Sequence, residues 1–257
     1  MTLPLVNQFL KTHEVWQTRP PTQQETDARM LNGQNPFACL EDVRVKLLDR
    51  IDTPCKAANY LAQNQCRNEI DSYVTESLGD LNSGYKLARE SMPNSTPHVF
   101  SAYQREYGPN INMVMVNNEI INSGKVLADG QVLFHGGGML NAVKNGDSLI
   151  TNRPLSTSFC PVKAVNNGAW RGKYYDENEA SLIIFTVKSM SKRAFIYKIN
   201  GTEKGHEKEV LIESNAKITV TNRILLNEHY NVFRTRTYSS GVENKQVSFF
   251  VVYATIS

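Results

Sequence analysis

The chain has 257 residues, 40% of them hydrophobic and 21% charged. This fits one large folded domain, or a domain with an appendage, and excludes collagenous and disordered classes. Lys and Arg number 28 against 25 acids, a formal net charge of +3, too small an excess to argue for a nucleic-acid partner.

Taken in chain order, Met1 to Leu10 carries no basic segment followed by a long apolar core, so no cleaved secretory signal is expected. The stretch to about Asn35, with Pro20, Pro21, Gln23 and Gln24, reads as an extended or disordered arm. Leu40, Val43, Leu47, Leu48 and Ile51 recur at three- and four-residue spacings, break at Pro54 and resume through Ala57, Ala58 and Leu61, which predicts amphipathic helices. Further helices are predicted over Glu69 to Leu78 and Tyr85 to Met92, the second ended by Pro93. Residues 1–115 thus read as a helical region with polar linkers.

From about Gln131 the runs become short and rich in Val, Ile, Phe, Tyr and Thr. They predict strands at Gln131 to His135, Leu182 to Lys188, Ala194 to Ile199, Lys208 to Ile212, Ala216 to Thr221, Asn231 to Tyr238 and Gln246 to Ala254. The strongest apolar runs, Leu182 to Val187 and Phe249 to Ala254, read as buried strands; neither approaches the roughly 20 residues of a membrane span. Helices first and strands after argue for an α+β class and against an alternating parallel sheet. Cys39, Cys55, Cys66 and Cys160 contain no C-x-x-C pair and read as free, mostly buried thiols.

Four local features stand out. Leu133-Phe134-His135-Gly136-Gly137-Gly138 is a strand ending in a histidine and running into glycines, where a missing Cβ lets a ligand or another backbone approach. Asn145-Gly146-Asp147-Ser148 precedes Arg153-Pro154-Leu155-Ser156-Thr157-Ser158, a hydroxyl cluster of the sort that often only bonds its own backbone. In His206-Glu207-Lys208-Glu209-Val210, strand alternation would put Glu207 and Glu209 on one face and Lys208 on the other. The zinc-protease pattern H-E-x-x-H fails there because Val210 stands at the second ligand position. Trp170, Arg171, Tyr174 and Tyr175 form a loop cluster that either covers a planar ligand or caps the core.

Taken in order, His135, the Ser156-Thr157-Ser158 segment and Glu207-x-Glu209 resemble the signature of the mono-ADP-ribosyltransferases related to bacterial toxins. That signature is Arg or His on one strand, Ser-Thr-Ser on a second, and Glu-x-Glu ahead of a third. The resemblance covers about Val132 to Thr221 and departs in one place: members with Glu-x-Glu usually carry Arg where this chain has His135. It implies an α+β fold, a helical region over residues 1–115 followed by a two-sheet, mainly antiparallel ADP-ribosyltransferase-like core over 116–257.

The resemblance also implies roles. Glu209 would accept the ribose 2′-hydroxyl of NAD and stabilise the ribosyl cation, while Glu207 would orient or deprotonate the acceptor. His135 would anchor the ribose and the Gly136 backbone would approach the nicotinamide amide, with Arg153 and Arg171 the next candidates for an anchor. Ser156 would hold Glu209, and Thr157 with Ser158 would brace the sheets. NAD is the expected substrate, no metal is required, and the expected partner is a target protein with arginine as acceptor. A secreted effector acting in a host cell is the implied setting, with a cytoplasmic protein as the alternative. An NAD glycohydrolase and a catalytically silent binding protein on the same fold are the competing functions.

Overall fold

The computed structural model describes residues 2–64, 69–105, 111–235 and 241–257. The N-terminal part opens with β1 (His13–Arg19), α1 (Gln23–Leu31), α2 (Pro36–Cys39) and β2 (Val43–Ile51). It continues with α3 (Pro54–Asn64), α4 (Glu69–Gly79), α5 (Tyr85–Glu90), α6 (His98–Arg105) and α7 (Met113–Ser123). Thr22 starts α1 with a capping box: its hydroxyl accepts from the Glu25 amide while its own amide donates to the Glu25 carboxylate at 2.8 Å. The opening segment is therefore a strand and a capped helix in place of a structureless arm.

The helix expected over residues 40–51 is a strand. β1 and β2 pair antiparallel, and the ladder shifts register between Val15 and Trp16 and again between Gln17 and Thr18. Each shift leaves one β2 residue without a partner across the ladder, so the less exposed positions fall at Val43, Leu47 and Ile51. Bulges thus convert a two-residue alternation into the four-residue spacing that a helix also produces.

The remaining elements are β3 (Lys125–Val126), β4 (Val132–Gly136), β5 (Ser148–Ile150), β6 (Leu155–Ser158), α8 (Pro161–Ala169) and α9 (Lys173–Glu177). After them come β7 (Glu179–Val187), β8 (Arg193–Ile196), β9 (Glu209–Ile212), β10 (Lys217–Thr235) and β11 (Val242–Ile256). They form one nine-stranded mixed sheet in the order β3-β8-β9-β6-β4-β7-β11-β10-β5, where two sheets were expected. The two expected sheets correspond to two halves of this ribbon, joined between β4 and β6 by the single pair Phe134 and Ser158. β7 and β11 run parallel over nine residue pairs, Ser248 with Glu179 through Ile256 with Val187. That central position explains why β7 is a nearly continuous apolar run, buried on both faces from Ala180 to Phe185.

β10 also departs from expectation. Ala216 to Thr221 and the segment from Asn231 belong to one strand, because the ladder with β11 continues through Asn222 to Tyr230 across three register shifts. Residues 236–238 of the second predicted strand, and Cys66, lie outside the described residues. Of the other cysteines, Cys39 and Cys160 are buried and Cys55 is exposed, all as free thiols. A single buried apolar cluster takes in Ile51, Leu61, Ile70, Val74 and Phe100 from the N-terminal part together with Phe134, Phe159, Phe185, Phe195 and Phe249 from the sheet.

Candidate active site

Where the two halves of the sheet meet, at the single pair of β4 and β6, lies a cavity of about 410 Å³, within the usual range for small-molecule sites. His135 and Gly136 from the end of β4, Ser156 to Ser158 from β6, and Glu207 and Glu209 at the entry to β9 all line it. Sheet register aligns them: Ser158 pairs with Glu209, and Ser156 with Leu211, on the antiparallel β6–β9 ladder.

Glu209 is 4% exposed. Ser156 Oγ donates to its Oε1 at 2.6 Å, and Gln104 Nε2 donates to its Oε2 at 3.3 Å. Burial dominates over these two donors and pushes the Glu209 carboxyl up from 4.5 to about 7. At neutral pH it is therefore divided between its two protonation states, and any cationic ligand in the cavity would tilt it toward carboxylate. A poised acid buried in a cleft is the pattern expected of a functional group.

His135 Nδ1 lies 2.8 Å from the Ser156 carbonyl oxygen. A carbonyl only accepts, so Nδ1 carries the proton. Burial, chiefly, holds the ring below its usual pKa; the Ser156 carbonyl opposes this, and the charges of Lys173 and Arg153 add to it. The neutral imidazole keeps Nε2 as an acceptor. At Gly136 a Cβ would come within 1.9 Å of the Ala164 carbonyl oxygen and 2.9 Å of Tyr174 Oη, so its glycine is required by the close seating of α8. Gly137 has φ +123, a conformation reserved for glycine.

The two glutamates reach the cavity by a different route from strand alternation. Glu207 ends a short 3-10 turn, Gly205–Glu207, and the strand begins only at Glu209. Lys208 between them has φ 53, a left-handed conformation costing a non-glycine residue on the order of 1 kcal/mol. Its side chain is buried and its Nζ donates to Asp71 Oδ1 of α4 at 2.5 Å. Asp71 also receives Lys163 Nζ at 3.1 Å and the Cys160 thiol at 3.3 Å. Burial works to raise the Asp71 carboxyl, but these donors outweigh it and hold the group below the ordinary range. Glu207 is half-buried, and Ser158 Oγ donates to its backbone carbonyl at 2.6 Å. Thr157 Oγ1 donates to the Val210 carbonyl at 2.7 Å. The three hydroxyls of the Ser-Thr-Ser segment thus address three successive parts of the glutamate turn and strand.

The loop cluster divides. Trp170 lines the cavity and carries the Arg171 guanidinium 4.2 Å from its ring centroid. Tyr174 is in the core, donating to the Ser181 carbonyl at 2.8 Å, and Tyr175 lies between Arg234 and Lys245. The cationic side chains on the cavity wall are those of Lys173 and Lys204; Arg153 and Arg171 are exposed outside it. Tyr103, Gln104 and Asp71 come from the N-terminal part, and sequence reasoning missed all three. α6 itself was not predicted, and nothing local marks Gln104 as the partner of a glutamate 105 positions on. Among the described residues no group of three or more His, Cys, Asp or Glu is placed to hold a metal, and no helix is long and apolar enough to cross a membrane.

No protein-family model matches this sequence, and no curated protein matches it. Solved structures similar to it include Plx2a, an ADP-ribosyltransferase toxin from Paenibacillus larvae, at 14% identity and a TM-score of 0.36 over 61% of this chain and 78% of that one. Vis toxin, an ADP-ribosyltransferase from Vibrio splendidus, aligns at 16% identity and 0.33 over 68% of each chain. C3larvin toxin, an ADP-ribosyltransferase from Paenibacillus larvae, aligns at 12% identity and 0.35 over 67% of this chain and 92% of that one. Likenesses of this strength carry no argument by themselves, and the functional reading rests on the site.

Proposed function

We propose that this chain is an NAD-dependent protein mono-ADP-ribosyltransferase, a bacterial effector or toxin that transfers ADP-ribose to a side chain of a target protein, arginine first. The observation that carries the reading is a convergence on one cavity. Ser156 holds the buried Glu209 at 2.6 Å through its hydroxyl and orients His135 at 2.8 Å through its carbonyl. Three residues from three strands, in the order of the transferase signature, thereby act on one ligand.

The cavity suits NAD. Lys173 and Lys204 offer positive charge for a pyrophosphate, and Trp170 and Tyr103 offer ring surface. His135 Nε2 accepts from a ribose hydroxyl, and the Gly136 backbone is the wall nearest the nicotinamide amide. Glu209 as carboxylate accepts the 2′-hydroxyl. When the glycosidic bond breaks, its electron pair goes to the nicotinamide nitrogen and discharges that cation, while positive charge develops on the ribosyl carbon. A fixed, buried carboxylate opposite that carbon stabilises the transition state more than the ground state. Glu207, half-buried at the rim, takes the proton that the attacking side chain gives up as it bonds to the ribosyl carbon. α6 covers one side of the cleft with Tyr103 and Gln104, which supports cleft cover as the role of residues 1–115, with docking of the target protein as the alternative.

Incubation with labelled NAD and a cell lysate tests the reading. Labelled protein bands with free nicotinamide are expected. Nicotinamide without bands makes the chain an NAD glycohydrolase, and neither product makes it a binding protein on this fold.

A further inference from the structure

Among the described residues, the N-terminal part makes two polar contacts with the Glu207–Glu209 turn: Gln104 on Glu209, and Asp71 on Lys208. The second touches neither glutamate. Lys208 is the residue whose left-handed backbone reverses the chain between them, and its ammonium group is buried, 2% exposed, against a carboxylate 137 positions away. The same residue's amide donates to the Gly205 carbonyl at 2.9 Å, and its carbonyl accepts from Phe159 at 3.1 Å. The Lys208 side chain also reaches the His206 carbonyl at 3.4 Å. Backbone and side chain of this one residue are thus fastened at both ends of the turn, while its carboxylate partner sits on α4, an element outside the cavity wall.

We infer that Asp71 is a positioning residue for the two site glutamates, acting through Lys208 to hold the turn that presents Glu207 and Glu209 to one ligand. The inference rests on the functional reading above. A left-handed non-glycine residue persists only where its surroundings over-determine it. Here the determinant is the buried ion pair, with Lys163 and the Cys160 thiol satisfying the rest of the carboxylate. Asp71 holds no ligand and moves no proton. Its contribution is to keep Glu209 beside Ser156 and Glu207 within reach of the same reacting carbon. A displacement of about 1 Å at such a constellation can cost on the order of 10²-fold in rate.

The test uses the whole chain and five variants. Lys208→Met is the primary one, because Asp71 then keeps Lys163 and no buried ammonium is left alone. Nicotinamide release at saturating NAD, the KM for NAD and a thermal melt are read for each. Lys208→Met is expected to lower kcat about tenfold or more with KM within about twofold, and Lys208→Arg to recover most of the loss. Asp71→Asn is expected to lower kcat likewise, and the double variant Asp71→Asn/Lys208→Met to be no slower than the slower single one. Lys163→Met, which removes the other ammonium from Asp71, is expected to leave kcat unchanged. A folded Lys208→Met chain with wild-type kcat, or losses that multiply in the double variant, overturns the inference while leaving the functional reading intact. A wild-type chain that releases no nicotinamide overturns the reading and the inference together. Should Asp71→Asn fail to fold, the kcat of Lys208→Met and its recovery in Lys208→Arg decide the matter.

Discussion

Replacing Glu209 by glutamine keeps the side chain's shape and removes a charge that the fold works against. In the folded chain the carboxyl titrates at about 7 instead of 4.5. Below pH 4.5 the group is protonated in the folded and unfolded chains alike. As pH rises from 4.5 through 7, the unfolded chain releases the proton first, so this group's favourable contribution is lost across that window. By pH 8 an ionised Glu209 costs the folded state about 3 kcal/mol, and at pH 5 about 1 kcal/mol or less, from linkage at 1.36 kcal/mol per unit. Glutamine carries no such cost at either pH. At a few degrees per kcal/mol for a chain of this size, Glu209→Gln is expected to melt roughly 6 to 12 °C above the wild type at pH 8, with a much smaller gain at pH 5. The same variant should lose about 10²-fold or more in nicotinamide release, since a transition-state charge contact has gone, while NAD still binds. Thermal melts at the two pH values, beside a nicotinamide-release assay, decide the case. A variant that melts with or below the wild type at pH 8, or gains equally at both pH values, refutes the burial argument, and near-normal nicotinamide release refutes the catalytic one.

Other predictions address neighbouring residues. Glu207→Ala is expected to abolish protein labelling and leave measurable NAD hydrolysis; equal loss of both activities would make the two carboxylates a single unit. His135→Asn is expected to weaken NAD binding by about 1 to 3 kcal/mol in calorimetry, with an unchanged melt. Unchanged affinity would move the anchor elsewhere, to Lys173 before Arg153 and Arg171 because Lys173, unlike the two arginines, lines the cavity. Removing the Gln104 donor raises the Glu209 carboxyl further, so Gln104→Ala should shift the acid limb of the kcat/KM profile to higher pH; an unmoved limb would deny that contact a role.

The residues that gather at the cavity from the sheet were legible because each sits in a short motif at a strand end. Register then carries Ser156 and Glu209 to the same place, and the 3-10 turn ahead of β9 adds Glu207. What was not legible depends on long-range packing or on departures from regular period. The two bulges of the β1–β2 ladder make a strand look like a helix, and three register shifts let β10 run on through Asn222 to Tyr230, joining two runs that read as separate strands. Gln104 and Asp71 have no local signature, since their meaning comes from partners 105 and 137 positions away. The backbone at Lys208 was hidden for a related reason. Lysine is a poor predictor of a left-handed turn, and the partners that hold it there, Asp71 and Phe159, are distant in sequence.

The one-rung junction between Phe134 and Ser158 has a kinetic consequence. β3, β8, β9 and β6 can complete their hydrogen bonding without β4, and β4, β7, β11, β10 and β5 without β6. The first group carries the carboxylates and the second the imidazole, so both halves can be formed while the site is still incomplete. The ladders on either side, β4–β7 with five residue pairs and β6–β9 with four, hold far more hydrogen bonding than this one pair, so each half forms before the junction is fixed. After dilution from denaturant, far-ultraviolet dichroism should therefore return ahead of nicotinamide release, and the interval between them times the arrival of one residue pair.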